Sequence, residues 1–195
     1  MVLDVRHQDA FAIGHVPRSI FIGLDGSFAP WVGALIADIK QPILLVTEPG
    51  REEEAVTRLS RVGFDNTLGY LEGGFEAWKK ASKEYDVVSS VTALEFKNEL
   101  SKDNTPVFDV RKESEHSSEH VMDATNTPLD FLNDHLAEFP EEPFFLHCAG
   151  GYRSMIASSI LKSRGIHNVI DVKGGFKAIK EAGVTVSEFV CPSTL

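Results

Sequence analysis

Short apolar runs alternate with helical patterns along the chain. In the C-terminal half, the runs near 106–110, 124–127, 144–147 and 168–172 predict strands. Helical patterns are expected around them at 93–101, 112–118, 129–135, 154–164 and 175–182. The FFLH run at 144–147 is almost continuously apolar, as a strand covered on both faces should be, and is expected at the centre of a parallel sheet. Such alternation is the signature of βα units and places the chain in the α/β class, with a mainly parallel sheet flanked by helices.

The pattern runs through twice. LDVRHQDAFAIGHV (3–16) returns as FDVRKESEHSSEHV (108–121), pairing Asp4, Arg6 and His15 with Asp109, Arg111 and His120 at an offset of 105. PILLVT (42–47) matches PFFLHC (143–148), and GGF (73–75) matches GGF (174–176), both at an offset of 101. Three landmarks in one order with slowly drifting offsets argue for a duplicated domain. The polar stretch KKASKEYDVVSS (79–90) ends one helical pattern and precedes the next strand and helix, so it reads as the linker. Domains are expected at 1–85 and 86–195. The first copy opens directly on a core strand at 2–5, whereas the second has VTALEFKNELSKDNT ahead of the equivalent strand. A complete first copy needs a helix and an edge strand there, so the chain reads as a piece of a longer polypeptide.

Composition narrows the class. A length of 195 residues allows one or two domains, each able to bury a core. With 43% hydrophobic and 25% charged residues, 15 Gly and 9 Pro, a collagen-like or disordered chain is excluded. No apolar run approaches the roughly 18 residues of a membrane span, and no basic-then-apolar leader opens the chain. A soluble, cytoplasmic protein with no membrane partner is expected. The formal net charge of -10 makes nucleic acid a poor partner. Seven scattered His offer no metal-ligand spacing. Two Cys cannot make a disulfide framework, which suits a reducing compartment.

Chemistry concentrates in FFLHCAGGYRSMIASSILKSRG. Cys148 ends the apolar strand, and a glycine-containing loop leads to a helix expected from about Arg153. Gly150 and Gly151 let the backbone turn tightly so that successive N–H groups point inward, while the helix start adds unsatisfied donors and partial positive charge. A thiolate in that cradle is stabilised, so its pKa falls and it becomes a nucleophile at neutral pH. Arg153 adds a permanently charged fork suited to an oxyanion, Ser154 a hydroxyl, and Tyr152 a ring for the pocket mouth.

These residues resemble the rhodanese-like sulfurtransferases, here in tandem. The resemblance rests on DVR followed by a GHV-like element (EHV at 119–121), on CAGGYRS at 148–154, and on the GGF helix start near each domain's end. It implies that Cys148 accepts a sulfane sulfur as a persulfide, that Ala149, Gly150, Gly151, Tyr152 and Ser154 line its binding site, and that Arg153 helps to bind the donor. The implied partners are small molecules: thiosulfate or a low-molecular-weight persulfide as donor, and a thiol, sulfite or cyanide as acceptor. No metal or organic cofactor is implied. Asp109 and Arg111 are expected as a buried structural pair, with His120 hydrogen-bonded to backbone. Glu119 stands where the family usually has Gly, and Ile179 where Trp is frequent. The first half also resembles the rhodanese tails joined to metallo-β-lactamase-fold persulfide dioxygenases, which implies a metal-bearing domain upstream.

Four residues separate Cys148 from Arg153, one fewer than in Cys-dependent phosphatases and arsenate reductases. The tighter loop suits one transferred sulfur atom rather than a tetrahedral oxyanion. A non-catalytic sulfur-carrier or docking module is the other rival. The first copy has Thr47 at the cysteine position, and its TEPGR loop (47–51) is one residue shorter. Glu48 and Glu52, Glu53 and Glu54 place negative charge where an anionic donor would dock, and Pro49 removes an N–H. This copy is expected to be catalytically silent. Strand alternation points His147 away from Cys148. Cys191 in FVCPSTL reads as a tail cysteine, and Trp31 and Trp78 as packing residues.

Overall fold

The computed structural model describes residues 1–102 and 105–191. Asp103, Asn104 and the last four residues of the tail motif therefore lie outside the described residues. The chain divides into two compact units, Met1–Val88 and Ser89–Leu195.

In the first unit, strands β1 (Val2–Asp4), β2 (Ile20–Phe21), β3 (Ile43–Val46) and β4 (Thr67–Tyr70) form a parallel sheet in the order β2-β1-β3-β4. Its helices are α1 (Gln8–Ile13), α2 (Phe28–Leu35), α3 (Glu52–Ser60) and α4 (Gly74–Lys80). The second unit has β5 (Ser89–Val91), β6 (Val107–Asp109), β7 (Thr125–Asn126), β8 (Phe144–His147) and β9 (Val169–Val172), also all parallel, in the order β5-β9-β8-β6-β7. Around them lie α5 (Ala93–Leu100), α6 (Glu113–Ser118), α7 (Tyr152–Ser163) and α8 (Gly175–Glu181). Each unit is an α/β fold. The FFLH run forms central strand β8, and all four of its residues are buried.

Local chemistry sets the boundaries. Helix α5 opens on a capping box in which the Glu95 backbone N–H donates to Thr92 Oγ1 (3.2 Å) while Thr92 N–H donates to the Glu95 carboxylate (2.8 Å). The helix expected at 129–135 is instead a 3₁₀ turn, Leu129–Asp134. Its two buried anchors, Leu129 and Leu132, are three apart, the spacing that aligns side chains in a 3₁₀ helix. The polar stretch after α4 is laced to the first unit rather than spanning free. His15 and Asp86 exchange backbone hydrogen bonds of 2.9 Å, Val88 N–H donates to Ala12 O, and Trp78 Nε1 donates to Glu84 O.

Elements β5 and α5 have no counterpart in the first unit among the described residues. Phe96 of α5 packs edge-on against Phe145 of β8, with centroids 4.9 Å apart and both rings sealed. Leu44, at the repeat position of Phe145, is 47% exposed instead.

Candidate active site

The site is built where β8 ends. Cys148 follows the strand directly, and the chain turns through Gly151, whose φ of +101° suits glycine, to start the twelve-residue helix α7. The Gly151 backbone N–H donates to Cys148 Sγ at 3.1 Å. Cys148 is only 1% exposed, while Gly150 above it is exposed and Ala149, Tyr152 and Arg153 are half-buried. The sulfur thus lies one layer down, beneath a thin loop and at the positive end of a helix.

Helix α8 props that loop from the far side. Phe176 N–H donates to the Cys148 carbonyl (2.7 Å) and Lys177 N–H to the Ala149 carbonyl (3.2 Å). With these carbonyls engaged by α8, the loop is left to turn a donor toward the sulfur, as Gly151 does. Two successive glycines, Gly174 and Gly175, both with positive φ, let α8 approach so closely. A Cβ at Gly175 would lie 2.8 Å from the Gly150 nitrogen.

Two side chains expected at the donor are engaged elsewhere. The Arg153 fork is filled by Glu115 of α6, with Nη1 to Oε2 at 2.6 Å and Nη2 to Oε1 at 2.9 Å. The hydrogen bonds from Arg153 hold the Glu115 carboxyl below the usual carboxylate range, and the same bonds push the guanidinium pKa up. Ser154 is fully buried and its hydroxyl donates to the Gly151 carbonyl (3.2 Å), so it braces the first helical turn instead of facing a donor. Sequence reasoning gave Glu115 no role. The one available signal is the repeat itself, since the first copy has Ala10 at the matching position.

Asp109 and Arg111 form a buried bidentate pair, with Nε and Nη2 each reaching Oδ2 at 2.8 and 2.6 Å. Arg111 also donates to the Glu119 carbonyl (2.8 Å) and stacks 3.9 Å over the Phe176 ring, tying the end of β6 to the helix that props the loop. His120 Nδ1 lies 2.8 Å from the His116 carbonyl. The first unit repeats this frame: Arg6 pairs with Asp4, donates to Gly14 O (2.8 Å) and lies 4.5 Å over Phe75, and His15 Nδ1 lies 3.0 Å from Phe11 O. The frame is thus present in both units, including the one that lacks the cysteine.

The second unit adds two histidines around Asp109. His116 Nδ1 is 3.2 Å from Oδ2, and buried His147 Nδ1 is 3.8 Å from Oδ1. Burial alone would raise the Asp109 pKa, but the hydrogen bond from His116 and the hydrogen bonds and charge of Arg111 outweigh it and hold the carboxyl well below its usual range. Burial pushes the His147 pKa down. His147 Nδ1 also lies 3.3 Å from the Cys148 carbonyl oxygen, not the sulfur.

In the first unit, Thr47 is buried, and Arg51 of its shorter loop is held by Asp25 (2.9 Å) and Glu54 (2.8 Å). Cys191 is exposed, and its neighbour Val190 is pinned by an N–H donated to Ser118 O (2.8 Å). Among the described residues, no group of three His, Cys, Asp or Glu side chains is placed to hold a metal ion, and no helix is long and apolar enough to cross a membrane.

Comparison with known proteins gives the family of the chain. The chain is 30% identical over 92 residues to the uncharacterized protein YqhL of Bacillus subtilis, an alignment covering 47% of this chain and 71% of that one. It is 33% identical over 79 residues to the thiosulfate sulfurtransferase GlpE of Pseudomonas aeruginosa, covering 40% of this chain and 68% of the relative. A crystal structure of a thiosulfate sulfurtransferase from Pseudomonas aeruginosa overlaps 97% of this chain and 40% of its own, with 22% identity and a TM-score of 0.45. The model of the rhodanese-like domain matches twice, at residues 1–81 and 92–182, and the chain therefore belongs to the rhodanese-like domain family.

Proposed function

We propose that the second unit is a sulfurtransferase that carries sulfane sulfur as a persulfide on Cys148. One observation carries this reading: Cys148 Sγ accepts a loop N–H at the start of α7, inside a turn whose carbonyls are tied back by α8. That arrangement sets a backbone donor and the positive end of a helix against the sulfur that would attack a donor. The thiolate attacks the outer sulfur of the donor, the donor's S–S bond breaks, and sulfite leaves from thiosulfate or a thiolate from an organic persulfide. A second nucleophile (a thiol, sulfite or cyanide) then takes the sulfur from Cys148 and restores the thiolate, in a ping-pong cycle. The likeness to proteins named thiosulfate sulfurtransferase supports the same chemistry.

The first unit is read as catalytically silent, because Thr47 offers no thiolate, its loop is one residue shorter and Pro49 removes an N–H from it. Two cysteines, too few for a disulfide framework, suit a cytoplasmic setting. The reading of an upstream metallo-β-lactamase-fold domain rests on the sequence resemblance alone.

Intact-mass spectrometry tests the proposal. Treatment with thiosulfate or glutathione persulfide should add one sulfur to the wild-type chain and none to Cys148→Ser. Repeated turnover with cyanide distinguishes an enzyme from a stoichiometric carrier. Phosphate release from an aryl phosphate, without a sulfur adduct, would overturn the reading in favour of a phosphatase.

A further inference from the structure

The cation of the catalytic loop is already spoken for. Arg153 lies five residues after Cys148, and both arms of its guanidinium are bonded to Glu115, so the pair presents little net charge to an incoming anion. Arg111, the next guanidinium in this frame, is committed to Asp109. Thiosulfate is a dianion that must approach a thiolate and depart as doubly charged sulfite, and both steps call for an uncommitted cation on the loop itself. An organic persulfide asks less: it reacts in its protonated or singly charged form and releases a singly charged thiolate.

A hollow lies beside Ala149, on the α8 side of the loop. It measures about 470 Å3 and is lined by Glu119, Ala149, Phe176, Lys177, Lys180 and Glu181. Lys180 and Glu119 pair with each other (2.5 Å), which leaves exposed Lys177 and Glu181 on the rim beside the Phe176 ring. A rim bearing both signs of charge around an apolar face matches a molecule that carries both an ammonium and a carboxylate group.

We infer that Glu115, by occupying the fork of Arg153, sets the donor class of Cys148: the persulfide of a zwitterionic low-molecular-weight thiol in preference to thiosulfate. This rests on the persulfide chemistry proposed above. In the transfer, the Cys148 thiolate attacks the terminal sulfur of R–S–SH, the S–S bond breaks, RS⁻ leaves, and Cys148 holds S–SH. Glu115 touches neither sulfur and acts as a positioning residue through Arg153.

The test compares kcat/KM for glutathione persulfide and for thiosulfate in the wild type and in Glu115→Gln, a variant that keeps an acceptor for the Lys112 N–H. Freeing the guanidinium should raise kcat/KM for thiosulfate about tenfold, in line with one hydrogen bond to a charged group, and leave the value for glutathione persulfide within about threefold. A merely structural role predicts an equal loss with both donors, and that result overturns the inference. So does a wild type that prefers thiosulfate, although the persulfide reading would then stand. If neither donor adds sulfur to Cys148 in the wild type, the persulfide reading itself fails. Should Glu115→Gln not fold, Lys177→Gln carries the test: its KM should rise for glutathione persulfide and not for thiosulfate, and unchanged values for both overturn the assignment of the hollow.

Discussion

Gly175 is pressed against the backbone of Cys148. A Cβ there would overlap the Cys148 carbonyl oxygen and stand 2.8 Å from both the Ala149 carbonyl carbon and the Gly150 nitrogen, at a φ of +57°. The glycine is what lets α8 donate its first N–H groups to the carbonyls of the loop, so the loop's shape is fixed from behind by a residue that never meets the substrate.

Gly175→Ala should therefore cost about 2–4 kcal/mol, the sum of a left-handed backbone penalty and backbone overpacking, and should abolish the sulfur adduct on Cys148. Gly74 is the internal control. Its φ is +62°, but its Cβ would lie 3.2 Å from the Thr47 carbonyl, so Gly74→Ala should cost about 1–2 kcal/mol and spare the adduct. Denaturant unfolding and intact mass together check both values.

Acid should weaken the second unit in two stages. His147 is kept neutral by burial, opposed by Asp109, so below its ordinary pKa of about 6.5 the unfolded chain takes up a proton that the fold refuses. Stability then falls as pH falls through that range, by at most about 1.4 kcal/mol per pH unit. Asp109 is the opposite type of group with the same sign. Its depressed pKa stabilises the fold fully above about pH 4, and that contribution is lost as pH drops further. Hydrogen exchange of peptides from β8 and α7 between about pH 7 and 5 should show protection declining, and His147→Gln should flatten the slope. Both tryptophans, Trp31 and Trp78, belong to the first unit, so their fluorescence follows that unit separately.

What could be read in advance was whatever the chain encodes locally or repeats. The FFLH run announced a strand buried on both faces, and it is β8. The Asp-x-Arg repeat gave a side-chain pair within two residues, where geometry leaves little freedom, and both copies make it. The Glu115 to Arg153 contact was invisible because it joins positions 38 apart and leaves no local pattern. Ser154 misled for a different reason: in the first turn of a helix, a serine hydroxyl finds the carbonyl three residues back before it finds a ligand. Polar side chains gave no hint of the backbone bonds that join Asp86 to His15, although the division of the chain at Val88 and Ser89 falls within the polar stretch.

Restoring a cysteine to the first unit should not restore chemistry. In a Cys148→Ser background, Thr47→Cys puts a thiol at the equivalent strand end, yet three features of the cradle remain wrong: Pro49, the short loop and Glu48. Pro49 has no N–H to offer, and the loop to Arg51 is one residue short. Glu48, next in the chain, places a carboxylate against the loop, where it accepts the His7 N–H at 2.8 Å. A carboxylate beside a thiol raises its pKa and repels an anionic donor. The double variant should thus gain no sulfur from thiosulfate or glutathione persulfide at concentrations that fully load Cys148 in the wild type. A mass increase of one sulfur on the introduced thiol would show that the strand end alone is sufficient, and that the loop amides and the Arg153–Glu115 pair are dispensable.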